Sequence, residues 1–199
     1  MRWLAAAAAA AALALAGCAP HSDYMLDPAT PPSHVPTPNR ATVIFLRPSA
    51  MGLLAKYMIV DSERHFLGDS LAQSKFAVML PPGEHWFVAY HETDPIARSD
   101  AMHVTLLPGR IYFVEVAPNL AGVQLLAISP RHDNWKEVRS WLADTTELIP
   151  DVPAGQANLD EDPESVDVEI QNGLGHLQDE DDDGRAERTL LPDDGISSE

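Results

Sequence analysis

Leu80-Pro81-Pro82-Gly83-Glu84-His85-Trp86-Phe87-Val88-Ala89-Tyr90-His91 is the stretch whose reading decides the fold. A Pro-Pro-Gly turn closes one apolar run and opens the next. In Glu84–His91 the alternate positions Trp86, Val88 and Tyr90 make one face, the two-residue period of a strand. Ala101–Leu107 answers with Met102, Val104 and Leu106 on one face and His103 and Thr105 on the other. Pairing symmetric about the 92–100 loop sets Trp86 against Leu106, Val88 against Val104 and Tyr90 against Met102. That register gathers Trp86, Val88, Tyr90, Met102, Val104 and Leu106 on one face.

Outward from this hairpin, short apolar runs recur every eight to twelve residues, with turns at Asp61-Ser62-Glu63, Pro81-Pro82-Gly83 and Pro108-Gly109. Strands are expected near 41–47, 56–60, 64–67, 74–80, 84–91, 101–107, 110–117 and 121–128. The expected fold is all-β: a single antiparallel β-sandwich of about eight short strands over residues 40–147, with a partly closed barrel as the alternative. Asp133–Ala143 changes period. Trp135, Val138, Trp141 and Leu142 fall at helical spacing, Asp133 is the expected N-cap, and a short C-terminal helix follows. Its two tryptophans are expected to pack on the core; a carbohydrate-stacking platform is the sharper alternative.

The chain holds 30 Asp and Glu against 13 Lys and Arg, and the excess is local. Residues 151–199 carry 16 acidic and 2 basic side chains, and no aromatic one. Such a segment reads as a disordered acidic tail over 148–199, because burial there cannot offset chain entropy. No basic patch exists to hold nucleic acid, and the tail would repel phosphates.

The N-terminus has one positive charge in Met1-Arg2-Trp3, then thirteen apolar residues from Leu4 to Ala16, then Gly17-Cys18. Residues 1–17 read as a secretory signal, too short to span a bilayer as a stable helix. Leu15-Ala16-Gly17-Cys18 resembles the lipobox of bacterial lipoproteins. The resemblance implies a diacylglyceryl group on Cys18, cleavage before it and fatty acylation (palmitate) of the new N-terminus. The expected location is the bacterial cell envelope, with the membrane engaged through the lipid anchor. Ala19 in place of Asp favours the outer membrane, facing the periplasm. Cys18 is the only cysteine, so no intramolecular disulfide staples the fold. Residues 18–39, with six prolines after Cys18, read as an extended tether that lifts the domain off the membrane.

Ala41–Pro48, Val60-Asp61, Leu80–His85 and Leu107–Phe113 together resemble the bacterial lipoprotein domain of unknown function 2846. The resemblance covers residues 40–130. It implies a small β-domain in the envelope and supplies no catalytic residues. The glycine usual after Val-Asp is here Ser62, and the long acidic tail lies outside the pattern.

Candidate chemistry is sparse. There is no Gly-x-Ser-x-Gly, His-Glu-x-x-His, cysteine pair or phosphate loop, so the chain reads as no enzyme. His91 and His103 become diagonal neighbours in the register above and could share a metal with Glu92 or Asp94; two solvated histidines are the alternative. Asp179, Asp181, Asp183 and Gly184 match the first half of a calcium loop, with Glu187 at the ninth position and Leu190 where a bidentate Glu belongs. Met51, Leu53 and Leu54 in the first long connection form a candidate contact patch for an envelope protein partner or lipid. The function expected from these features is a non-enzymatic binding or scaffolding module without a cofactor. The alternative is a calcium- or metal-dependent binding protein.

Overall fold

In a computed structural model, which describes residues 21–94 and 96–197, the chain is mostly β, with helices concentrated in its last third. Residues 1–17 and Cys18, the expected signal and lipidation site, lie outside the described residues. The apolar run Ala41–Arg47 forms β2, buried at all seven positions. Such a strand must be covered on both faces. It sits between β5 (Ser74–Leu80), antiparallel, and β8 (Arg110–Pro118), parallel. β9 (Val123–Ile128) pairs with β8, and the short β10 (Thr146–Glu147) and β13 (Ile196–Ser197) extend this sheet. A second sheet has the order β12 (Thr189–Leu190), β7 (Asp100–Leu106), β6 (Gly83–His91), β3 (Tyr57–Asp61), β4 (Phe66–Ser70). β1 (Met25–Leu26) pairs with β11 (Ile149–Pro150).

Side chains of both sheets meet in one core. The Phe45 ring stacks on Phe76 of its own sheet at 5.0 Å and meets Phe87 of the other edge-on at 5.4 Å. On the far side of β2, Ile44, Leu46, Phe113 and Ile128 form a second cluster. A 3-10 turn (Asp133–Glu137) and α1 (Val138–Asp144) cover it with Trp135, Trp141 and Leu142. The tryptophans are thus packing groups. Asp133 is not the cap; His132 holds that position without a side-chain bond.

Four expectations are corrected. Pairing is mixed: β2–β8, β10–β5 and β12–β7 are parallel. Turn chemistry constrains only strands that follow one another, and none of these pairs does. β5 and β6 lie in different sheets, so Pro81-Pro82 carries the chain across the layers instead of folding a hairpin.

The β6–β7 register differs as well. Phe87 faces Met102, Val88 faces Ala101 and Trp86 faces His103. The shift of three residues puts Trp86, Val88 and Tyr90 on the outer face, and Phe87 on the inner face with Met102. The expected register assumed one apolar face, whereas β6 is covered on both.

The cover is the acidic segment, which is folded. α2 (Val152–Glu161) and α3 (Pro163–Asp179) each have proline in the first turn and an aspartate cap. Asp151 accepts from the Ala154 N–H and Asp162 from the Ser165 N–H. Val166, Ile170, Gly173 and Leu177 are the buried stripe of α3; Glu164, Asp167 and Asp179 are exposed, while Glu169 accepts from the buried Ser99 hydroxyl. α3 lies across β6 and β7. A Cβ at Gly173 would meet Val88 Cγ1 at 3.0 Å and the Asp100 carbonyl oxygen at 3.1 Å, so glycine permits the close approach. After α4 (Asp182–Glu187), Arg188 is buried and its Nε lies 3.0 Å from both Asp100 carboxylate oxygens. Asp100 also accepts the Leu125 N–H of β9 at 2.8 Å.

The tether is the fourth correction. Met25 is buried at 5 % exposure and its sulfur accepts the Asp69 N–H. Tyr24 donates to Asn158 of α2 at 2.8 Å. The chain is docked from Ser22 onward, ahead of five of the six tether prolines.

Removing the Arg188 guanidinium strands the buried Asp100 charge. Arg188→Ala is expected to cost about 3–5 kcal/mol in urea unfolding, with the slope unchanged. A chain ended at Pro150 should fail to give a cooperative transition, since Val88, Tyr90 and Ala101 lose their cover.

Candidate functional site

The strands run between two ends. One end carries Arg47, the 48–56 connection, the start of β7 and the β8–β9 turn. The other carries Asp61–His65, Pro81-Pro82 and Leu106–Arg110. At the Pro81 end the sheets part around an open cleft of about 900 Å³. Its floor and walls come from Phe66 and Leu67 of β4 and from Ala77–Leu80 of β5. Glu84, His85 and Trp86 of β6 stand opposite, and Ile149, Pro150 and Val152 close the side. Beyond Trp86 a second cavity of about 500 Å³ lies under Leu174 and Leu177 of α3, with His103, Arg185 and Thr189. Trp86 and Ser62 border both cavities. Trp86 is 37 % exposed, and its ring lies 4.5 Å from the His103 ring.

The rim of the cleft is polar and ordered. Asp61 accepts the N–H groups of Glu63 and His65, each at 2.9 Å, and lies 2.7 Å from His65 Nδ1. This bond and the Asp61 charge raise the His65 pKa above its ordinary value. Arg64 takes the left-handed conformation that the tight turn requires, with φ of 67°. His85 donates from Nε2 to the Pro81 carbonyl at 2.9 Å. The floor is apolar and the rim carries carboxylates and imidazoles, an arrangement that orients an amphipathic ligand.

One edge in the cleft is open. β10 pairs with β5 only at Ser74 and Lys75, and the chain then leaves toward β4. Among the described residues, Ala77–Leu80 of β5 have no partner strand on that side. Met79 on this edge is 39 % exposed.

The sequence-derived candidates do not converge. His103 faces Trp86, five residues along β6 from His91, a separation of roughly 16 Å, and the two histidines lie on opposite faces. His91 accepts the Thr93 and Asp94 N–H groups and meets the Tyr57 ring edge-on at 5.5 Å. Asp179 ends α3, and Asp181 caps α4 by accepting the Gly184 N–H at 2.8 Å. Asp183 lies inside that helix, and Glu187 lines a separate cavity with Glu115 and Asn134. Within that alternation Asp181 serves as a helix cap. Among the described residues no group of three His, Cys, Asp or Glu side chains is placed to hold a metal ion. Met51, Leu53 and Leu54 are exposed, in a turn whose backbone is fixed from below.

Two charged groups that carried no sequence signal are buried at the Arg47 end. The Arg47 guanidinium donates to the carbonyls of Met51, Gly52, Ala55 and Ser70 at 2.7–2.9 Å and lies over the Tyr57 ring at 4.9 Å. Asp69 is fully buried, and neither carboxylate oxygen has a hydrogen-bond partner among the described residues. Burial pushes its pKa up to about 6, against the pull of Ser22, Lys56 and Arg47.

Searches of protein families, of curated proteins and of solved structures return no match.

The Asp69 environment sets a pH dependence. The folded carboxyl keeps its proton up to about pH 6, while the unfolded one releases it near pH 3.9. Between these values the folded state binds more protons, so stability falls as pH rises. Asp69→Asn, which removes the titration, should gain on the native chain by up to about 3 kcal/mol between pH 4 and pH 7. Urea midpoints measured across that range check it; a constant difference would contradict the assignment.

Proposed function

We propose that this chain is a lipid-anchored, non-enzymatic binding module of the bacterial envelope. In this reading a two-sheet β-sandwich, held at the outer membrane through Cys18 and facing the periplasm, binds an extended polypeptide strand at the Pro81 end. The open edge of β5 inside an apolar cleft carries the reading. An extended peptide can pair with the N–H groups that Ala77 and Met79 turn to this edge and with the Ala77 carbonyl, the Met79 carbonyl being taken by Arg40 at 3.0 Å. Its alternate side chains would enter the pocket between Phe66, Val78 and Trp86. The Asp61–His65 rim and Glu84 favour a peptide with a cationic flank. The signal-like N-terminus and the resemblance to the lipoprotein family support the anchor and the compartment. The lack of a nucleophile signature in the sequence supports a binding role over a catalytic one.

The test is a titration followed by amide NMR and hydrogen exchange. A hexapeptide of alternating Phe and Thr ending in Lys should protect the amides of Ala77 and Met79 and shift the Trp86 indole N–H. N-methylation of alternate peptide nitrogens, which leaves the side chains alone, should abolish the protection. Trp86→Ala should weaken binding about tenfold, equivalent to about 1.4 kcal/mol. Decanoate that shifts Trp86 as strongly as the peptide, with no protection of β5, would replace the strand-addition reading by one of lipid binding. Cys18→Ser should end fatty-acid labelling and release the protein from the membrane fraction.

A further inference from the structure

At the Arg47 end, three separate loops present large apolar side chains to solvent. Leu54 is 80 % exposed, with Met51 and Leu53 beside it; Ile96 is 92 % exposed; Leu120 is fully exposed. They belong to the β2–β3, β6–β7 and β8–β9 connections, which the strand registers place at one end. Isolated exposed apolar residues need no explanation, but three loop tips at one end do.

The loops are held rigidly. The buried Arg47 guanidinium grips the carbonyls of Met51, Gly52 and Ala55, and Gly52 takes φ of 61° to present its carbonyl. Asn119 accepts the Ala121 and Gly122 N–H groups. The Arg98 N–H donates to the Ala121 carbonyl at 2.7 Å, and the Val123 N–H donates to the Arg98 carbonyl at 3.3 Å, so the second and third loops are one unit. Tyr57 donates to the Gly122 carbonyl at 3.4 Å and ties that unit to the ring beneath Arg47.

We infer that this end is a bilayer-docking surface, whose apolar loop tips insert into the interfacial region of a phospholipid membrane. The inference rests on the reading of Cys18 as the lipid anchor. Its own support is the distance between that anchor and the fold. Ser22 is buried, at 2 % exposure, close to Asp69 at the Arg47 end of β4. Cys18 lies four residues earlier, at most about 14 Å away along a fully extended chain. Five of the six prolines that would have made a spacer come after the docked Ser22–Leu26 segment and cannot lift the domain. An acyl group on Cys18 in the bilayer therefore holds this end against the headgroups. Loop tips such as Leu54 and Leu120 can then reach the roughly 5–10 Å depth at which interfacial apolar groups sit. Exposed Arg98, next to Ile96, is available for a lipid phosphate. A weakly charged membrane is specified, because the chain carries a net charge of −17 and strongly anionic lipid would repel it. This placement turns the Pro81 cleft away from the membrane.

Depth-dependent fluorescence quenching tests the inference on the full, acylated chain in phosphatidylcholine vesicles. Leu54→Cys, Ile96→Cys, Leu120→Cys and, at the opposite end, Glu63→Cys each receive an environment-sensitive label. Spin-labelled lipid should quench the first three about threefold or more over Glu63→Cys, with blue-shifted emission. Equal quenching at all four sites overturns the inference. Mass spectrometry of the N-terminal peptide reports separately whether Cys18 is acylated. Acylated protein with loop labels in water sinks the docking surface and leaves the anchor standing. If Cys18 is unmodified, the same labels in a Cys18→Ser background decide the docking surface alone, since loop tips that remain in water at high vesicle concentration overturn it. Concentration-dependent self-quenching at Leu54→Cys or Leu120→Cys in lipid-free detergent would instead mark a contact between two copies, and also overturns it.

Discussion

The buried pair of Arg188 and Asp100 is the contact on which the arrangement of this chain depends. Asp100 begins β7 and also accepts the Leu125 N–H of β9, so its carboxylate joins both sheets at one point. Arg188 brings the end of the acidic segment to that point and is held further by Glu180 at 3.2 Å and by the Gly184 carbonyl. Two charges out of water cost several kcal/mol each unless their remaining hydrogen-bonding groups are met. Here they are met from four chain segments, which makes the pair a strong constraint on geometry. With Arg188 fixed, β12 is set beside β7, and α3 is drawn over Val88 and Ala101. The outer face of the sheet formed by β3, β4, β6 and β7 is therefore covered at Val88, Tyr90 and Ala101 and open only toward Trp86 and the start of β6.

Arg47 plays the corresponding part at the other end. A fully buried guanidinium at the end of the central strand must find acceptors, and it finds them in four backbone carbonyls. The 48–56 connection is organised by that need, and the apolar tips of Met51, Leu53 and Leu54 are a consequence. Asp69 lies close enough to influence Arg47 yet makes no hydrogen bond to it, so the end carries two buried ionisable groups: a guanidinium bonded through both Nη atoms with its Nε unpartnered among the described residues, and a carboxyl with no partner among them. The N-terminal strand closes over Asp69. In the proposed arrangement this chemistry sits next to the membrane, and the binding cleft lies at the far end of the strands. The cleft exists because β10 abandons β5 after two residues, and the backbone of β5 then lines it without a partner.

The sequence determined the positions of all eight principal strands, the turns between them, the helical segment that carries Trp135 and Trp141, and the packing of both tryptophans against the second cluster. These features follow from local chemistry: period-two apolar runs, Pro and Gly at turns, and a change to helical spacing. Tertiary structure decided the rest, because it depends on partners remote in sequence. Whether Val88 faces the core or α3 depends on a helix some eighty residues away, and the β6–β7 register follows from that cover. Asp162-Pro163 and the Val166, Ile170, Gly173, Leu177 stripe were legible helix signals, but sixteen acids in the surrounding segment hid them. A helix needs only one buried stripe, and its charges can all lie on the other faces. His91 and His103, and the aspartates from Asp179 to Asp183, looked like ligand sets because spacing along a chain does not reveal direction in space. Only the fold shows that the two histidines point to opposite faces, that Asp181 caps a helix, that part of the β5 edge has no partner strand among the described residues, and that the apolar loops at the other end are fixed from beneath.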